Sequence, residues 1–121
     1  MYSLTGSEQA QQDGYRAILE GVFARHQVDL VMNGHVHNSQ RTCPLFNYTC
    51  TAGAPVYIIS GSAGAMLENY PVSDPNGLVQ FYNGDSCGFY TVAIANSTHA
   101  RLTWTRNSDG QALDDAWIVK N

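Results

Sequence analysis

Residues 28–42 read VDLVMNGHVHNSQRT, and this stretch decides the fold. Val28, Leu30, Val31 and Met32 form a short apolar run, the pattern of a strand buried on both faces. Asn33-Gly34 ends the run, and His35 and His37, two of the chain's four histidines, follow one residue apart. On a regular strand such side chains share a face. Past a strand end the backbone swings them apart, so each can reach a different partner. Gly34 lets the backbone turn tightly, or approach an ion with no Cβ in the way. Neutral imidazole binds zinc and iron well, and ligands of α/β folds sit beyond the carboxyl ends of strands. The residues alone leave two readings open: a metal site, and a polar surface turn that carries two imidazoles. Asp29, Asp74 and Asp85 have no spacing that completes a ligand set. His26, at a helix end where a cation offsets the dipole, and His99, in a hairpin turn, read as structural.

Upstream, Thr5-x-x-Glu8 predicts a capping box. Tyr15, Ile18, Leu19, Val22 and Phe23 then follow the spacing of one apolar helix face, which predicts a helix to Arg25 or His26. Downstream, residues 38–54 are polar and read as irregular, and 55–60 read as a second strand. Residues 65–87, with two prolines and two Asn-Gly pairs, read as a long loop. Residues 89–95 and 100–106 alternate and pair as a hairpin around 96–99, with Leu102 and Trp104 inward. Residues 116–119 read as a last edge strand. One helix followed by mostly antiparallel strands is an α/β pattern in which the helix covers only part of the sheet, as in one half of a layered domain. Some apolar surface of the helix and first strand is then expected to stay bare.

The chain has 121 residues, 44% of them apolar and 13% charged, with a net charge of −4. That composition belongs to an ordered chain with the core of one ordinary domain. Lys120 is the sole lysine among six basic residues, and with no basic patch a nucleic-acid partner is not expected. No apolar run is long enough to span a bilayer, so no membrane partner is expected either. Residues 1–14 lack the basic start and apolar stretch of a signal peptide. Yet Asn47-Tyr48-Thr49 and Asn96-Ser97-Thr98 are glycosylation sequons, so Asn47 and Asn96 are candidate glycan sites. Cys43 and Cys50 bracket a short loop, as a local disulfide would, which leaves Cys87 over. These features point to an oxidising, secretory compartment, and their conflict with the missing signal peptide predicts a chain incomplete at its N-terminus.

The stretch VDLVMNGHVHNSQRT resembles the last metal-binding motif of the purple acid phosphatases, Gly-His-x-His after an apolar strand, within the metallophosphoesterases. Three further segments resemble that family in the same order: MYS (1–3), PVYIISGSAG (55–64) and GFYTVAIANSTHARLTWTRNSDGQALDDAWIVKN (88–121). The first is similar to the end of the family's His-x-Pro-x-Tyr segment. The resemblance implies that residues 1–121 are the C-terminal part of a single metallophosphoesterase catalytic domain whose N-terminal half is absent. The implied fold is the C-terminal portion of a four-layer α/β/β/α sandwich.

The resemblance further implies an acid phosphatase that hydrolyses phosphate monoesters at a dinuclear centre of Fe(III) and a divalent metal, zinc, manganese or iron. His35 would ligate the divalent metal and His37 the ferric iron. It implies a secreted, extracellular, lysosomal or vacuole-like location, and leaves the oligomeric state open. The chain departs from the motif at Asn38, Ser39 and Gln40, where the family often carries an aromatic and a glutamate; Arg41 keeps its place. The motifs that hold the remaining ligands are not found, so the isolated chain is expected to be inactive. Two other functions stand beside this one. One is a related metallophosphoesterase acting on phosphodiesters or nucleotides. The other is a non-enzymatic secreted β-rich binding module.

Overall fold

A computed structural model describes residues 2–3, 9–69 and 73–120; the Thr5–Glu8 capping box lies outside them. Helix α1 (Gln9–Arg25) is followed by eight strands among the described residues: β1 (Leu30–Asn33), β2 (Ser39–Phe46), β3 (Thr49–Cys50), β4 (Val56–Ser60), β5 (Val79–Asn83), β6 (Gly88–Ile94), β7 (His99–Arg106) and β8 (Ala112–Val119). They make two sheets. The larger runs β1-β4-β2, with β3 and β5 both pairing with β2; the smaller runs β6-β7-β8. β1 and β4 are parallel, in register from Leu30↔Val56 to Asn33↔Ile59. β2 lies antiparallel to β4.

β4 is the centre of the packing. Val56, Tyr57, Ile58 and Ile59 are all buried, which is why the segment reads as an unbroken apolar run. Val56 and Ile58 pack with Leu102 and Ile118 of the smaller sheet. Tyr57 packs with Tyr2, Cys43 and Leu45, with Phe23 of α1 beside them. The layers are therefore helix, sheet, sheet. Each fully buried Leu or Ile of this core contributes about 1.5–3 kcal/mol.

The helix ends as its sequence suggests, but without glycine. Val28 N–H reaches Phe23 O at 3.0 Å and Gln27 N–H reaches Ala24 O at 3.2 Å, while Gln27 sits at φ 51°. This paired closure is a Schellman turn that feeds the chain into β1.

Three expectations change. Only the end of the apolar stripe of α1 faces the core: Phe23 packs on it, whereas Tyr15 is 58% and Ile18 70% exposed, and Gln12 and Glu20 are buried. Glu20 is held there by three donors, the Tyr2 hydroxyl, Asn47 N–H at 2.8 Å and Arg16 Nη1 at 3.4 Å, so its burial leaves no unpaired charge. Residues 38–54 are not irregular throughout. They form β2 and β3, joined by Asn47 and Tyr48 at φ 45° and 59°, the two left-handed residues of a type I′ hairpin. The long loop contains β5. β2 is hidden in the sequence because Ser39, Gln40 and Thr42 are buried polar residues, each satisfied by hydrogen bonds that apolar periodicity does not register. The Cys43–Cys50 disulfide is formed across this hairpin, with Cα atoms 5.7 Å apart, and Cys87 is free and half-buried.

Candidate metal centre

Residues 34–38 connect β1 to β2 at the carboxyl ends of the parallel pair β1 and β4. Backbone fit fixes the loop. A Cβ on Gly61, just past β4, would lie 1.8 Å from Val36 O, so only glycine lets the two chains meet. Gly61 N–H then donates to Asn38 O at 3.0 Å. Between these anchors His35 takes φ 76°, a left-handed conformation that turns it away from the line of His37.

The two imidazoles have different surroundings. His37 is half-buried, and its Nδ1 lies 2.8 Å from Met66 O. A carbonyl only accepts, so Nδ1 carries the proton and Nε2 keeps its lone pair. That is the arrangement of a metal-ligating histidine oriented by a second partner. His35 is exposed. It lines a groove of about 600 Å³ with Tyr15, Leu19, Met32 and Asn33, between α1 and the open edge of β1. The structure thus keeps His35 and His37 in one short loop but brings no further ligand to them. No group of three or more His, Cys, Asp or Glu side chains suited to a metal occurs among the described residues. His26 is exposed at the end of α1. His99 bonds to Thr98 Oγ1 at 2.8 Å and stacks edge-on against Trp117; both stand apart from the loop. Two imidazoles are a donor set that suits zinc or iron.

The residues after His37 form a buried polar seam. Asn38 Nδ2 donates to Glu68 O at 3.2 Å. Gln40 Nε2 donates to Asn38 Oδ1 at 2.8 Å and to Ser3 Oγ at 3.0 Å. Ser39 Oγ accepts from Trp104 Nε1 at 2.7 Å and pairs with Ser62 Oγ at 2.6 Å. Arg41 donates through Nε and Nη2 to the two oxygens of Asp114, at 2.7 and 2.8 Å. This planar pair of hydrogen bonds pins β2 to β8. Pairing with Asp114 holds the Arg41 guanidinium above its usual range. Burial, then the charge of Asp114, pushes the Tyr90 hydroxyl up as well. Sequence reasoning missed Asp114, Met66 and Trp104 as partners of this loop. Asp114 carried a signal in hindsight, an acidic residue on the inward face of an alternating strand. Met66 carried none, because its backbone oxygen is what acts.

The model of the iron/zinc purple acid phosphatase-like protein C family matches residues 54–115. The chain belongs to the purple acid phosphatase family. The phosphoenolpyruvate phosphatase of Allium cepa is 31% identical across 100% of the chain, which spans 28% of that protein. A nucleotide pyrophosphatase/phosphodiesterase of Hordeum vulgare is 27% identical over 88% of the chain and 31% of its own length. The structure of a purple acid phosphatase from yellow lupin (Lupinus luteus) seeds superposes on the whole chain with a TM-score of 0.85 at 28% identity; the chain covers 23% of it. The chain therefore spans less than a third of these relatives, and its helix and strands match the C-terminal portion of the family's α/β fold.

Proposed function

We propose that this chain supplies two ligands of a dinuclear centre that hydrolyses phosphate monoesters, with His35 on the divalent metal and His37 on the ferric iron. The observation that carries this reading is the Nδ1–H···O bond from His37 to Met66, 2.8 Å long, which leaves Nε2 as the free donor. When bound, such a centre activates water as nucleophile and neutralises charge on the phosphate oxygens. In this reading the residues of this chain hold and orient. The left-handed His35 and the backbone-locked His37 present their rings from two separate points of one loop, as a two-metal site requires. The remaining ligands come from residues outside those described, consistent with residues 1–121 being the C-terminal part of a larger catalytic domain.

The barley relative supports a second reading, in which the same centre acts on phosphodiesters or nucleotides. A panel of aryl phosphate, bis-aryl phosphate and nucleotide substrates separates the two. In the polypeptide that supplies the remaining ligands, His37→Ala should remove bound iron and turnover together. A variant that kept both would end the assignment. The exposed Asn47 and Asn96 suit glycans in a secreted or vacuole-like protein. No described helix is long and apolar enough to cross a membrane. A gel shift on glycosidase treatment should remain in Asn47→Gln and disappear in Asn47→Gln/Asn96→Gln.

A further inference from the structure

The segment Met66–Glu68 crosses the loop of His37 like a strap, with Leu67 half-buried and hydrogen bonds to the loop from the residues on either side of it. Its Met66 side chain is 87% exposed, so burial of that side chain does not fasten it. Four bonds do. His37 Nδ1–H donates to Met66 O. Glu68 N–H donates to His37 O at 2.9 Å. Glu68 O accepts from Asn38 Nδ2 at 3.2 Å and from the Tyr82 hydroxyl at 3.4 Å. Asn38 is the hub of this set. It is fully buried, and its backbone is tied at both ends, N–H to Val36 O at 2.9 Å and O from Gly61 N–H at 3.0 Å. Its side-chain oxygen is occupied by Gln40 Nε2 at 2.8 Å, which orients the amide so that Nδ2 faces Glu68 O.

We propose that Asn38 is a positioning residue: through the 66–68 strap it fixes His37 as the Nδ1–H tautomer and so presents Nε2 to the metal. The physical reason is that an unrestrained imidazole exchanges its proton freely between the two nitrogens, whereas a carbonyl at 2.8 Å admits one form only. Position 38 is also where the chain leaves the family's usual motif. Gln40 is the group that aims the Asn38 amide. The proposal rests on the reading of His37 as a ligand, and its test is arranged so that the two fail separately.

The test uses the ¹⁵N-labelled 121-residue chain, metal-free, at pH about 8, where histidine is neutral. Long-range ¹H–¹⁵N correlation should show His37 as Nδ1–H and His35 as the ordinary tautomer mixture. Asn38→Ala should return His37 to that mixture and expose the Glu68 amide to fast hydrogen exchange, more fully still in Asn38→Ala/Tyr82→Phe. The Trp104 indole N–H signal, which reports its own bond to Ser39, should stay in place. Zinc titration should then show an affinity at His37 reduced about tenfold or more in Asn38→Ala, the usual size of such outer-partner effects. An Asn38→Ala chain that keeps both the Nδ1–H tautomer and Glu68 protection overturns the proposal. Should the variant not fold, the parent chain still decides it: fast exchange at the Glu68 amide, or His37 as a tautomer mixture, overturns it equally. If the tautomer responds as expected but zinc never perturbs His37, the ligand reading falls and the positioning role stands.

Discussion

The two faces of the β1-β4-β2 sheet are finished in opposite ways. Toward β6-β7-β8, Leu102 and Trp104 are wholly buried and Ile118 nearly so. The seam's one ion pair, Arg41–Asp114, is bidentate, with side chains only 15% and 7% exposed. Toward α1, the buried helical positions are Gln12 and Glu20, while Ile18, Tyr15 and Met32 face outward. The sealed side carries the stability that sheet-on-sheet packing provides. The unsealed side carries the groove and His35. The loop of His35 sits where the β1 edge is left open.

The comparison breaks most sharply at Trp104. Trp104→Ala empties the core between the sheets and leaves Ser39 Oγ without its indole donor, so a loss of about 3–5 kcal/mol is expected in chemical denaturation. A loss under about 1 kcal/mol would mean that the sealed side is not where stability resides.

Next in size is the disulfide, which ties the buried Cys43 to the exposed Cys50. Its sequence separation of 7 is short, so Cys43→Ser/Cys50→Ser should cost about 2–3 kcal/mol in the chain-entropy model. Non-reduced peptide mapping should recover the 43–50 pair and Cys87 as a free thiol. A 50–87 pair would redraw the hairpin.

On the open side the same kind of substitution should do the reverse. Ile18→Ser should change stability by less than about 0.5 kcal/mol and lower self-association in sedimentation, because it removes exposed apolar area. Strong destabilisation would show that the helix stripe is covered after all.

The smallest effect belongs to the β7–β8 turn. Arg106 first, then Gln111 N–H, holds the Asp109 carboxyl down to about 2, from an ordinary 3.8. A depressed folded-state value adds stability above pH about 4, and this contribution is lost as pH falls toward about 2. Asp109→Asn should flatten that stretch of the acid-unfolding curve slightly and lose the same small contribution at neutral pH. The exposed setting keeps the effect small.

β4, an unbroken apolar run, and β6 and β7, which alternate, were legible in the sequence, as were the place of Gly34-His35-Val36-His37 past a strand end and the cysteine pair. Each rests on spacing between residues near in the chain. β2 was not legible because its inward side chains are Ser39, Gln40 and Thr42, whose burial depends on partners such as Trp104, 65 residues from Ser39. The facing of α1 was misread in part, at Tyr15 and Ile18, for the related reason that Glu20 is satisfied by Tyr2 and Asn47, both distant in sequence. The partner of His37 was out of reach altogether: any residue at position 66 presents the same backbone oxygen.

Gly61 places a limit on how this sequence can drift. With 1.8 Å between a hypothetical Cβ and Val36 O, a mutation at position 61 moves the loop that holds His35 and His37 before it changes anything else. In a saturation library scored for zinc affinity, position 61 should accept glycine alone. The exposed positions 97 and 108 should accept nearly any residue. The glycine contributes no chemistry to a metal site, yet it constrains the ancestry of any chain that keeps one here.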